Sequence, residues 1–477
     1  VKKEAGYWIH LAQSTIANCP LLLVGIGVDQ LRSFQTLGGI IRGAVSVLPC
    51  GAAISPVIEP FPLLTLEAET RDIFQLVVKD YSETLFRNLS KVLDFFSSVD
   101  SSRECTIVSY LPIPSTVLEG RKAWAQDSVG ASQIEDKSKT AELLSGNLMA
   151  VPSEIVTWPF TRKRWDTSCR KFKSSRLILQ QLGLNGGGTG TRFCDEYPVA
   201  SRAFTYRNQE KVKLMPWIDG IPCNIMATVL DHDRTLVFPP SRQINNEEQR
   251  KPIYSGNDFG LFLPNDELQE LTREVREFGR VLANRGFVGP FGLDFIRKPN
   301  GTRLYHDINP RMNGAFDSLA FYLSRDGIDP LRVLLLSRRN WHLDDIEALE
   351  ETLLFHVKNK PLVRFFLSRV MEQDVQIKSP PSTGMWKIDL REAKRPGLHQ
   401  NFVLDGLRLQ YKPRFSPSPM PSHYHVWFRS LMLPGTVVRK NDRLILGDLY
   451  CSTSTVQELQ DRSQQPLYNV LLNALFN

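Results

Sequence analysis

Residues Gly289–Asp317, GPFGLDFIRKPNGTRLYHDINPRMNGAFD, decide how the remainder of the chain is read. FGLDFI reads as a strand, Lys298–Thr302 (KPNGT) as a turn and RLYHDIN as a second strand. Asp294 lies on the first strand, Asp307 and Asn309 on the second. Residues 307 and 309 are two apart, and alternate side chains of a strand share a face. That face carries two carboxylates and an amide oxygen, hard donors of the kind magnesium takes beside substrate phosphates. Arg311 follows as a planar fork of donors for an anion. Together these residues point to phosphate chemistry. An ordinary hairpin with solvated acids is the alternative, and the apolar flanks weigh against it.

The segment DINPR, thirteen residues after Asp294, resembles the metal-binding end of the ATP-grasp superfamily, whose usual form is E-x-N-P-R after a G-x-D-F strand. Asp307 stands where Glu is commoner, which shortens that arm by one methylene. The resemblance covers roughly residues 126–320. It implies α/β and α+β architecture: an ATP-grasp core of two α+β subdomains behind an N-terminal parallel-sheet domain, with a small C-terminal α+β extension. The corresponding boundaries are 1–125 for the leading α/β domain, 126–335 for the core (126–215 and 216–335) and 336–477 for the extension. It further implies ATP with Mg2+ (Mn2+ as the alternative ion), metal ligation by Asp294, Asp307 and Asn309, and a catalytic Arg311.

Composition sets wider bounds. A chain of 477 residues holds roughly two to four domains. Its 42% hydrophobic and 23% charged residues match a globular protein. The net charge of +7 fits anionic small molecules, and no basic run interleaved with aromatics points to nucleic acid. Seven scattered cysteines without zinc spacing predict a reduced, cytoplasmic protein. No apolar run reaches the length of a membrane span. The chain starts at Val1 without Met, which leaves a preceding targeting segment open.

In the leading domain, Leu21–Gly25 and Glu104–Tyr110 read as strands and Tyr81–Phe96 as one amphipathic helix. The order predicts a mostly parallel sheet. Gly25 and Gly27 lack the third glycine and downstream acid of a dinucleotide site and read as a tight turn.

The core begins with a predicted helix over Asp136–Leu144. The resemblance implies that Lys137 reaches the nucleotide phosphates; a solvated helix lysine is the alternative. A strand, Leu177–Leu179, then enters a loop holding Gly183, Gly186, Gly187, Gly188, Thr189 and Gly190. Such backbone approaches phosphates without side-chain collision, and no G-K-[ST] of a Walker loop follows. The family's strand usually ends in a phosphate-binding lysine, where this chain has Gln180 and Gln181, so charge neutralisation passes to Lys137, Arg192 or Arg311. The resemblance places adenine at the link between subdomains, beside Leu214, Met215 and Trp217, each of which core packing explains equally well. Arg242 and Gln243, in PSRQ, and Asn313 and Gly314 are the candidates for substrate binding. The segment ELQELTREVREFGRVLANRG predicts a packing helix, capped at Asp266 and stopped at Gly286.

Beyond residue 336 the pattern weakens. ETLLFHVKNKPLVRFFLSRVM shows some helical periodicity, and MWKIDL and FVLDGLRLQY read as strands. This region is expected to cover the site or to mediate a homodimer. The resemblance implies a ligase that joins a carboxylate to an amine through an acylphosphate, with a finer likeness to bacterial peptide ligases of the pheganomycin type in domain order and in the PSRQ and NPR segments. A small-molecule kinase and a silent nucleotide-binding scaffold are the other two readings.

Overall fold

The computed structural model describes residues 3–26, 32–50, 61–70, 76–146, 148–182, 188, 190–204, 211–248, 250–325, 328–337, 341–371, 373–376, 384–389, 401–404, 407–412, 425–430, 437–438, 440, 443–454 and 456. Its leading domain is built on five strands: β1 (Pro20–Gly25), β2 (Ile40–Leu48), β3 (Leu63–Glu67), β4 (Thr106–Val108) and β5 (Ala123–Trp124). They lie in the order β3-β2-β1-β4-β5, all parallel. The run Leu21–Val24 is buried throughout, as a central strand covered by layers on both faces requires. The helix expected over Tyr81–Phe96 is two helices, Tyr81–Arg87 and Leu89–Val99, broken at Asn88. Gly27 lies outside the described residues.

The next unit is a four-stranded antiparallel sheet in the order β6-β9-β7-β8, from β6 (Glu154–Thr157), β7 (Leu177–Gln181), β8 (Thr191–Cys194) and β9 (Lys211–Pro216). The helix Arg162–Phe172, capped by Thr161, covers one face through Trp165. Before this sheet come the helices Ser128–Glu135 and Thr140–Leu144. Asp136 ends the first of them and its carboxylate accepts from the backbone N–H of Ser138 at 2.9 Å. Lys137 therefore stands in a turn between two short helices, not on the single helix that the sequence suggests.

The third unit is a large antiparallel sheet that includes β10 (Ile221–Val229), β11 (Thr235–Val237), β12 (Ser241–Glu248), β13 (Lys251–Asp258), β14 (Gly289–Arg297) and β15 (Arg303–Asn309). The helix Asn265–Ala283 seals one face with Leu271, Val275, Phe278 and Leu282, each contributing about 1.5–3 kcal/mol on burial. This helix starts beyond Pro264. Asp266 and Glu267 occupy its first turn, where they meet the positive end of the helix dipole, and Asp266 is not the cap. Gly286, at φ +79°, turns the chain out of the helix.

The segment PLVRFFLSRV is a strand, β16 (Leu362–Val370), where the sequence suggests helical period. Pro361 follows the helix Leu343–Asn359, and residues from Leu362 to Ser368 are buried on both faces, so the apolar spacing carries no period at all. β16 pairs with β13, and strand Arg443–Ser452 pairs with β16, so the C-terminal region continues the sheet of the core. One cluster, including Trp8, Phe34, Phe238, Phe316 and Leu334, joins the leading domain to this sheet.

Candidate functional site

Two sheet faces meet across a cleft. On the four-stranded sheet, Ile178 lies opposite Met215 and Gln180 opposite Lys213. Paired residues share a face, so these four side chains form one surface and Leu177, Leu179, Val212 and Leu214 the other. The second set is core, packed with Val156 and Trp165. Leu214 is therefore turned away from the cleft. Met215 is turned towards it, packing with Val151 and Leu304 beside Ile178 and Ile218. Trp217 lies outside this patch, its ring under the Arg176 guanidinium at 3.7 Å and its Nε1 donating to Asp219 at 2.9 Å.

The facing wall is the predicted hairpin. Lys298–Thr302 forms its turn, with Lys298 N donating to Thr302 O at 2.8 Å and Gly301 at φ +83°. Asp294 sits directly opposite Asp307, and Gly292 opposite Asn309. The register slips by one residue between Asp294 and Phe295, so that Phe295 pairs with Tyr305 and His306 is the extra residue of a bulge. The slip puts Tyr305 into the core with Phe295 while Asp307, two residues on, pairs with Asp294 in the site. No sequence signal marks that bulge.

Asp294 accepts from Asn309 Nδ2 at 3.2 Å and from the Asn224 amide, and the Gln243 amide also reaches it. Burial and the neighbouring Asp307 raise its pKa, against the opposing pull of Asn224, Lys137 and Gln243. Asp307 is ion-paired with Lys137, whose side chain is 1% exposed. Burial pushes the Asp307 carboxyl up, but Lys137 outweighs it and holds the group below the ordinary carboxylate range. Burial drives the pKa of His306 down to about 4, leaving its imidazole neutral at pH 7.

Arg311 donates to Asn309 Oδ1 at 3.2 Å and to Glu135 Oε1 at 2.9 Å, and so ties the hairpin to the helix Ser128–Glu135. Its Nε is buried without a partner. The backbone completes that tie, because Val151 N donates to Tyr305 O at 2.8 Å and Tyr305 N to Met149 O at 2.9 Å. Gly188, at φ +80°, lies against Pro252 so closely that a Cβ there would come within 1.9 Å of the Pro252 carbonyl oxygen. The Gly190 carbonyl accepts from the N–H of Gln181 at 2.8 Å; Gly183, Gly186, Gly187 and Thr189 lie outside the described residues.

The remaining candidates separate. Gln243 belongs to the Asp294 group, whereas Arg242, on the opposite face of β12, pairs with Asp258 at 2.7 Å. Asn313 Oδ1 accepts from Ala315 N at 3.0 Å as the cap of the helix Gly314–Leu323. The Gly314 carbonyl accepts from Arg364 at 2.8 Å. Arg192 lies opposite Leu179, on the core side of the sheet, over the ring of Phe204. It does not face the cleft, and so is not the cation that makes up for Gln180. The cleft face of β9 carries two lysines, Lys211, which is exposed, and Lys213, which is buried, a difference that no sequence signal marks. Lys213 is 2% exposed.

Residues 134–315 match a family described as "ATP-grasp domain". Solved structures align with nearly the whole chain. An N5-carboxyaminoimidazole synthetase from Staphylococcus aureus is 12% identical with a TM-score of 0.52, over 94% of this chain and 98% of that one. An L-amino acid ligase from Bacillus licheniformis is 13% identical at 0.54, over 94% and 96%. A biotin carboxylase from Campylobacter jejuni is 10% identical at 0.57, over 96% and 95%. The chain has the ATP-grasp fold. No curated protein matches it in sequence.

The donor set fits a magnesium ion that completes its shell with water and an anionic ligand. Among the described residues no three His, Cys, Asp or Glu side chains form a cage of their own. Magnesium commonly takes one or two carboxylates and completes its shell with water and phosphate, which suits the paired Asp294 and Asp307; the Asn309 oxygen accepts from Arg311 while its Nδ2 faces Asp294, so it joins them only when the amide is turned. Asn224 Oδ1 and Gln180 Oε1 are buried without partners, as lining prepared for a polar ligand would be. Among the described residues no helix is long and apolar enough to cross a membrane.

Proposed function

We propose that this protein is an ATP-dependent ligase that joins a carboxylate to an amine. The observation that carries the reading is the convergence of Lys137 and Glu135 from one subdomain with Asp294, Asp307, Asn309 and Arg311 from the other. Adenine fits the apolar patch of Met215, Ile178 and Leu304, and the triphosphate extends towards the glycine loop. Asp294, Asp307 and Asn309 would hold a divalent ion, which would supply charge neutralisation on the phosphates.

The substrate carboxylate oxygen attacks the γ-phosphorus, the bond to the β-phosphate oxygen breaks, and ADP leaves. The amine nitrogen then attacks the acyl carbon, phosphate departs with the bonding pair, and the nitrogen loses its proton. Arg311 is held by Glu135 and Asn309 where it can meet the phosphoryl oxygens, a fixed cation needing no reorganisation. Gly188 lies against Pro252 of the hairpin β12–β13, a close approach of the kind that would keep water from a hydrolysable acylphosphate. His306 is uncharged beside Asp307 and supplies no competing cation. The finer likeness to pheganomycin-type peptide ligases makes amino acids and short peptides the first substrates to test.

The experiment is an ADP-release screen of small acids and amines, singly and in pairs, with magnesium. ADP release that requires both partners, with an amide product by mass spectrometry, supports the ligase. A stable phosphorylated product from one substrate means a kinase instead.

A further inference from the structure

We propose that Lys213 is the phosphate-binding cation of this site, placed on the strand beside the one that leads into the glycine loop. The inference rests on the ATP reading above. Along the cleft face of the sheet the order is the apolar patch at Met215 and Ile178, then Lys213 and Gln180, then the loop. Two strand positions separate Met215 from Lys213, about 7 Å. Base, sugar and phosphates of a nucleotide lying along this face follow the same order.

Charge supports the placement. The Lys213 ammonium makes no hydrogen bond or ion pair among the described residues, although the residue is 2% exposed. An unpaired buried ammonium is costly, and burial accordingly pushes its pKa down to about 8, with Asp307 opposing and Lys137 adding to that push. Every other cation weighed for the role is engaged: Lys137 with Asp307, Arg311 with Glu135, Arg192 with the Thr191 carbonyl at 2.7 Å. Opposite Lys213, Gln180 holds a buried Oε1 that also has no partner. A phosphate oxygen between them would accept from Lys213, and the Gln180 amide can turn to donate. The loss of a lysine at Gln180 is thereby made good across one strand pair.

The test is calorimetric binding of AMP, ADP and ATP, with magnesium, to the full chain. Lys213→Gln should weaken ADP and ATP on the order of ten- to a hundredfold and leave AMP within about twofold. The exchange Gln180→Lys with Lys213→Gln should recover most of the loss. Lys213→Met should not lower the melting temperature of the free protein, since it removes an unpaired buried charge. If wild type binds none of the three nucleotides, the ATP reading falls and the inference with it. If wild type binds and Lys213→Gln binds ATP equally well, or loses AMP as much as ATP, the inference alone is overturned. Unfolding of all three variants would show a structural lysine and overturn it too.

Discussion

The two walls of the cleft hold their charges in opposite ways. On the β14–β15 wall the charges are answered, Asp294 by Asn224, Gln243 and Asn309, Asp307 by Lys137, and Arg311 by Glu135, although Arg311 Nε and Asn224 Oδ1 stay open. On the β7–β9 wall Lys213 and Gln180 Oε1 are answered by nothing among the described residues. The first wall is organised before any ligand arrives, which is what fixed electrostatic stabilisation requires. The second stays costly until an anion comes, so its contribution appears only on binding. A site divided in this way separates geometry from affinity.

Substitutions can break that division. Asp307→Asn takes the charge from the organised wall and should cut turnover on the order of 10²–10³-fold or more, with the folded circular dichroism spectrum kept. Near-normal turnover would remove Asp307 from the site. Arg311→Lys keeps the charge but loses the fork that spans Glu135 and Asn309. It should lower turnover on the order of ten- to a hundredfold in steady-state assays, and an unchanged rate would mean that charge alone suffices.

The third substitution touches neither wall. Asp100 and Arg121 are a buried pair at 2.8 Å, with side chains 4% and 0% exposed. Burial pushes the Asp100 carboxyl up, but Arg121 and the backbone N–H groups of Glu104 and Cys105 hold it below its ordinary value. A depressed carboxyl stabilises the fold above the unfolded pKa and ceases to as pH falls through the folded one. Asp100→Asn should therefore cost about 3–5 kcal/mol by denaturant titration at pH 7. The gap from wild type should narrow below about pH 4, with nucleotide affinity unchanged throughout. Altered nucleotide binding would show that the leading domain is coupled to the cleft.

What could be read from sequence follows the same physical line. The hairpin was legible because KPNGT is local turn chemistry and because the two-residue period of a strand needs no partner to be seen. The bulge at His306 was not, since it arises from how β15 pairs with β14. Lys137 was found by position but set on a helix that Asp136 ends. Met215 and Leu214 were equivalent until the register of β9 against β7 turned one to the cleft and one to the core. β16 departs from the helical period its sequence suggests because a strand buried on both faces shows no period to separate it from a helix.

β16 also bears on inheritance. It supplies the neighbour of β13 at Gly256–Asp258, where Gly256 lies so near Arg364 that a Cβ would come within 1.9 Å of its carbonyl oxygen. Arg364 itself reaches back to Gly314, just past the Asn-Pro-Arg segment. A cut near residue 335 would leave β13 as an open edge and strip that guanidinium away. The half that holds the candidate site is thus no cassette that recombination can move alone: the last third of the chain has to travel with it.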